Sequence, residues 1–265
     1  MIKESLEIYL NSKTASKYLD NRVANCIFNI PNIEVDVLKE DVYIGVRNAV
    51  LPYSFYTCNS NNNRLNLTID GTAYIINLEL GNYNVRTLAT ELKTKIDALQ
   101  TQHGHDGDLT ITYLAKTNKY YFFHSRHQFS FLSTSTCFEL LGFDEGQTYI
   151  ASALPFQTLK HELTSVVGIN LFVVRSILVN SDNFILQNIN NTEPNNAGIL
   201  ASISTTGNPN SIIHYENITS KHKIHHLNNI NNLHIKICDQ DGNVLELNGV
   251  NWSMTLEITI ITKTK

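Results

Sequence analysis

Between Asn84 and Leu99 the apolar residues Val85, Leu88, Ala89, Leu92, Ile96 and Leu99 recur at helical spacing, and no other stretch of the 265-residue chain sustains that period over several turns. Arg86, Glu91, Lys93, Lys95 and Asp97 fill the rest of the wheel, and Asn84 stands where an N-cap belongs. The spacing predicts one amphipathic helix of about four turns. A lone helix cannot build a helical core, so it must lie on a sheet, and the surrounding sequence must supply the strands.

That sequence reads as strands almost throughout. Period-two and β-branched runs occupy residues 5–10, 24–30, 33–37, 42–50, 64–70 and 72–80, the last two joined by Asp70-Gly71, a strong hairpin signal. After the helix, strands are expected at 109–114, 119–124 and 128–132. Thr136-Cys137-Phe138-Glu139 then reads as a capping box opening one helical turn that Gly142 stops. Beyond residue 163 the strand pattern returns at 165–169, 171–179, 184–187, 199–204, 211–215, 233–238, 244–247 and 252–262, with Asn-rich loops at 188–196 and 207–210. About one residue in eight is asparagine, which disfavours helix interiors and suits such turns.

The regular spacing of strands argues for a β-sandwich or jelly roll. Strands before residue 57 are too few to bury both faces alone and must pair with those near the C-terminus. The expected fold is therefore mainly β: a single jelly roll, an antiparallel β-sandwich, from residues 1–57 and 152–265, with an inserted α+β domain at 58–151. Pro52 removes a ladder donor and marks where the strand before it leaves the sheet. Trp252, the sole tryptophan, is expected to anchor the final strand while its N–H finds a partner.

Charge and motifs exclude several functions. Twenty Lys+Arg against 24 Asp+Glu give a net charge of −4, which does not advertise a nucleic-acid groove. The longest apolar run, 166–179, is broken by Gly168, Asn170, Arg175 and Ser176, so it reads as two buried strands of a soluble chain and not as a membrane span. Residues 1–20 lack the apolar core of a secretory signal. Cys26, Cys58, Cys137 and Cys238 lie far apart without a CxxC pair and read as buried thiols in a reducing compartment. GxSxG, HExxH and a phosphate-binding glycine loop before a helix are absent, so neither a catalytic site nor a cofactor is expected.

Three polar clusters remain. Asp239-x-Asp241-x-Asn243 resembles the start of a calcium loop, but Gly242 and Val250 stand where the loop's pattern fails, and it reads as a hairpin turn. His103, His105, Asp106 and Asp108 have ligand chemistry yet read as a solvated loop tip, so no metal is expected. His222, His225, His226 and His234, interspersed with Lys221, Lys223 and Lys236, form the one locally basic stretch and are the expected pH-sensitive interface, since protonation would gather positive charge there.

Three local patterns carry a family likeness. They are Asn48-Ala49-Val50-Leu51-Pro52-Tyr53-Ser54-Phe55-Tyr56 with the 59–63 turn and Leu65-Asn66-Leu67; Gly81-Asn82-Tyr83-Asn84-Val85 before the helix, answered by Phe138-Glu139-Leu140-Leu141-Gly142-Phe143; and Ile237-Cys238-Asp239-Gln240-Asp241-Gly242, Leu247-Asn248-Gly249 and Trp252-Ser253-Met254-Thr255-Leu256. In this order and spacing the chain resembles penton and minor capsid proteins of virophages, Polinton-like viruses and related double jelly-roll DNA viruses. The resemblance implies a structural capsid protein of the virion, made in the host cytoplasm or nucleus. It implies five copies closing each icosahedral vertex, with the major capsid protein, and a host receptor or vertex spike, as partners. Residues 1–20 are then expected to be an arm that orders only in the shell. The alternative from another class is a carbohydrate- or receptor-binding β-sandwich using Tyr120, Tyr121, Phe122 and Phe123, although consecutive strand residues point to opposite faces.

Overall fold

The computed structural model describes residues 2–186, 198–205, 207–217, 219–225 and 229–263; the expected loop at 188–196 lies outside them, as does His226. The chain divides into two units, one from residues 1–55 and 174–265, the other from residues 56–173.

The first unit is a jelly-roll-like sandwich of two antiparallel sheets. One runs in the order Ile2–Asn11, Ser253–Thr262, Glu40–Pro52, His222–His225 and Ile185–Leu186, with Ile212–Glu216 also on Glu40–Pro52. The other runs Ile199–Ser204, Ser176–Asn180, Asn229–Cys238, Asn25–Glu34 and Lys17–Tyr18. Ile44, Leu256 and Ile258 from the first sheet share one core with Ile177, Leu233 and Ile235 from the second. Trp252 sits in that core at 2% exposure, edge-on to Phe28 with ring centroids 5.8 Å apart, and its Nε1–H donates to the Val23 carbonyl at 2.7 Å. The expected partner for the indole is thus a backbone acceptor near the start of the opposite sheet.

The N-terminal segment departs from expectation. It is no arm: Ile2–Asn11 pairs antiparallel with Ser253–Thr262, in register from Glu4↔Ile260 to Asn11↔Ser253. Leu6, Ile8 and Leu10 alternate inward, which is what a half-buried strand requires. Residues 24–30 and 33–37, expected as separate strands, merge into Asn25–Glu34 across Pro31. The ladder tolerates the proline because its register with Asn229–Cys238 shifts between Ile230 and Asn232, so a bulge absorbs the missing donor.

The second unit has its own core and two four-stranded sheets, ordered Tyr149–Ile150, Phe129–Phe131, Arg64–Ile69, Thr72–Asn77 and Ser152–Leu154, Gln157–Thr164, Lys119–His124, Leu109–Leu114. Asp70 (φ 48°) and Gly71 (φ 80°) form the expected hairpin turn. The helix runs Val85–His103, longer than expected. The Asn84 side chain accepts from the amides of Arg86 and Thr87, the Thr87 hydroxyl accepts from the Asn84 amide, and Gly104 at φ 69° closes the other end. Leu88, Leu92 and Ile96 pack in one cluster with Leu67, Phe122, Phe131 and Phe138.

Three details of this unit correct the sequence reading. Its C-terminal boundary is Val173 and not residue 151, because Gln157–Thr164, unrecognised in the sequence, pairs with Lys119–His124. Residues 165–173, expected as strands, are irregular: after Ser165, whose amide still donates to the Tyr120 carbonyl, the Val167 amide donates to the Gly142 carbonyl and that of Ile169 to the Asn118 carbonyl, so these bonds go to turns and not to a ladder. The short helix Phe138–Leu141 has Cys137 at its N-cap with no side-chain bond, since the Thr136 hydroxyl accepts from the Arg64 amide instead. Gly142, at φ 78°, is required twice over, because a Cβ there would come within 2.6 Å of the Val167 carbonyl oxygen.

Two substitutions test this account. Trp252→Ala should destabilise the first unit by about 3–5 kcal/mol in urea unfolding, the cost of emptying a buried aromatic site. Asn84→Ala should cost the second unit about 1 kcal/mol and leave unfolding of the first unchanged, as expected for loss of one helix cap.

Candidate functional site

The locally basic stretch is divided between two sheets of the sandwich. His222 and His225 lie on the strand His222–His225 of the six-stranded sheet, whereas His234 lies on Asn229–Cys238 of the five-stranded one. The intervening lysines are also neutralised where they stand. Lys221 reaches Glu257 at 2.5 Å and the Thr259 hydroxyl at 2.7 Å, Lys223 pairs with Asp41 at 3.0 Å, and Lys236 pairs with Asp182 at 2.6 Å. Sequence proximity gathered these charges, and strand pairing placed each beside a carboxylate.

His234 is largely enclosed, with its side chain 15% exposed. Its Nδ1 lies 3.1 Å from Asp182 and its Nε2 lies 2.6 Å from the Asn25 side-chain oxygen. Burial pushes its pKa below the ordinary histidine range, Asp182 opposes that, and Lys236 reinforces it. It therefore stays neutral further into acid than a free imidazole, which makes it a poor trigger near neutral pH.

The aromatic run at residues 120–123 is divided by the strand pleat. Tyr120 and Phe122 are fully buried, while Tyr121 and Phe123 lie half-buried on the other face, where the Tyr121 hydroxyl donates to Glu162 at 2.7 Å. The four do not present a common aromatic platform. All four cysteines are buried, and burial pushes the Cys58 thiol up to about 12, so it is no nucleophile. The Asp239 turn is a hairpin turn in which the Asp239 carboxylate accepts the amides of Asp241 and Asn243, each at 2.9 Å.

The polar loop after the helix is a more organised place than a solvated tip. Asp108 turns to Lys93 at 3.0 Å, while the His103 ring lies against that of Tyr74, tilted by 52° with centroids 4.8 Å apart. His105 instead meets Asp70 and His127, and one ligand atom from each of the three lies within 4.8 Å of the other two. Asp70 and His127 were not recognised as site residues in the sequence, because they come from separate turns 57 positions apart. Asp70 was legible only as a turn former.

Exposed apolar side chains are the other surface feature. In the first unit Tyr9, Leu38 and Ile212 are more than half exposed, and in the second so are Ile75, Ile150, Phe156, Leu159 and Phe172. Ile2–Asn11 is an edge strand of its sheet, so one row of its amides and carbonyls faces away from any partner strand among the described residues. Among the described residues no helix is long and apolar enough to cross a membrane.

No protein-family model matches the sequence, and no curated protein is similar to it. Solved structures do match. The mavirus penton protein aligns over 98% of this chain and 100% of its own at 12% identity with a TM-score of 0.54, and a chain of the Sputnik virophage structure over 97% and 98% at 12% identity with a TM-score of 0.41. The chain has the fold of the mavirus penton protein along its whole length.

Proposed function

We propose that this protein is a structural capsid subunit of a virion, the penton that closes icosahedral vertices as a homopentamer and contacts the major capsid protein. The observation that carries the reading is end-to-end agreement with the fold of the mavirus penton protein, which covers both the sandwich and the inserted unit. The surface supports it. Closure about a fivefold axis requires one patch to meet a different patch on the next copy, and the open edge of Ile2–Asn11 with its exposed Tyr9 supplies one such patch.

Mass photometry of the purified protein, alone and mixed with major capsid protein, should give a species at five times the 29.9 kDa chain mass or incorporation into shells. Tyr9→Lys, at a site 66% exposed, should weaken each subunit contact by about tenfold, roughly 1.4 kcal/mol, and so lower the pentamer fraction without changing the fold. A strict monomer in every mixture would refute the reading.

A further inference from the structure

Three turns of the second unit converge on Asp70, His105 and His127. Asp70 opens the hairpin turn, where its amide donates to the Gln128 carbonyl at 2.9 Å and its Oδ1 accepts from the Gln128 amide at 3.1 Å. This reciprocal clamp fixes the carboxylate with Oδ2 only 2.5 Å from His127 Nδ1. The His127 amide in turn donates to Nδ1 of buried His124 at 2.9 Å. His105 follows the left-handed Gly104, donates its amide to the Gln100 carbonyl at 3.0 Å, and holds its ring with Nε2 2.7 Å from the Tyr74 hydroxyl. Each side chain is therefore positioned by backbone or buried partners before any ligand arrives.

Both ring nitrogens of His127 face carboxylates. Its Nδ1 faces Asp70, and its Nε2 faces Asp106 Oδ1 at 3.1 Å. A neutral imidazole owns one N–H and can serve one of these carboxylates, not both. With that N–H on Nε2 and donated to Asp106, the Nδ1 lone pair is left on the side of Asp70; two ligand atoms of a tetrahedral zinc stand about 3 Å or more apart, so taking up the ion opens the 2.5 Å His127–Asp70 contact and replaces it with two metal bonds. Asp106 is engaged from its other side by the Arg126 guanidinium, so it acts as the outer partner of the ring. Imidazole donating its second N–H to a carboxylate is the usual way a metal-binding histidine is oriented.

We infer that Asp70, His105 and His127 form a binding site for a divalent transition metal of the zinc type, with Asp106 as the residue that orients His127. Two imidazoles and one carboxylate match the borderline donors zinc takes, and calcium or magnesium would require an all-oxygen shell. Three protein ligands leave a fourth position for water. The ion would join the hairpin turn, the loop after the helix and the 125–128 loop into one rigid end of the unit. This inference stands apart from the capsid reading, since it concerns a single chain.

The full-length protein, stripped with chelator and titrated with zinc chloride at about pH 7.5, should bind one ion per chain and gain thermal stability. His105→Gln and His127→Gln should each abolish that binding, Asp106→Asn should weaken it by about 10–100-fold, and His222→Gln, elsewhere in the chain, should leave it unchanged. Cobalt(II) bound to the wild type should give visible bands of a four- or five-coordinate ion with imidazole ligands, a readout that survives if a variant fails to fold. Absence of binding by the stripped wild type, binding undiminished in both histidine variants, or a cobalt spectrum of the hydrated ion would each overturn the assignment.

Discussion

The pairing of Ile2–Asn11 with Ser253–Thr262 is the constraint on which the rest of the first unit depends. Ser253–Thr262 also pairs with Glu40–Pro52 on its other side, so the last strand of the chain is sandwiched between the first and the fourth. The sheet cannot form until both chain ends are present. Contacts of such long sequence separation carry a loop-closure cost that only grows slowly with length, which is why a segment of more than a hundred residues can be accommodated between the two halves. Trp252 reinforces the same closure. It stands just before the final strand, and its bond to the Val23 carbonyl ties the last strand to the chain entering the other sheet.

Elements governed by local rules were readable in the sequence. The Asp70-Gly71 hairpin follows from the turn's need for positive φ, the helix from its period and Asn84, and the exit at Pro52 from a missing donor: the strand ends at Pro52 and the second unit begins at residue 56. Elements decided by partners far along the chain were not. Residues 165–173 are as apolar as a buried strand, but their amides are claimed by the Gly142 and Asn118 carbonyls. Gln157–Thr164 carries Lys160, His161 and Glu162 in succession and lacks an apolar period, yet the open edge of Lys119–His124 recruits it. Pro31 looks like a break and is instead absorbed by a bulge in the neighbouring ladder.

The polar sites divide along the same line. The basic stretch was visible because its residues are close in sequence, and folding then sets its lysines beside the carboxylates of Glu257, Asp41 and Asp182 from elsewhere in the chain. The Asp70, His105 and His127 cluster was invisible for the converse reason: its members share no sequence window, only a common end of one unit. His105 alone was singled out beforehand, among neighbours that turn to Tyr74, Arg126 and Lys93.

Having two cores changes what each unit can tolerate. The sandwich is closed by its own termini, and the second unit satisfies its helix ends and hairpin turns within itself, with Phe122, Phe131 and Phe138 in a cluster separate from that of Trp252. Loops of the second unit are therefore released from building the sandwich. Charged and imidazole side chains can accumulate there at little cost to the fold, because their partners are one another and not the core. Asp70 illustrates the economy: one residue supplies the turn's positive φ, clamps Gln128 and presents its remaining oxygen to His127. A turn chosen for backbone geometry thereby becomes a preorganised ligand, which is the condition a metal or any other cation needs to be held in one place.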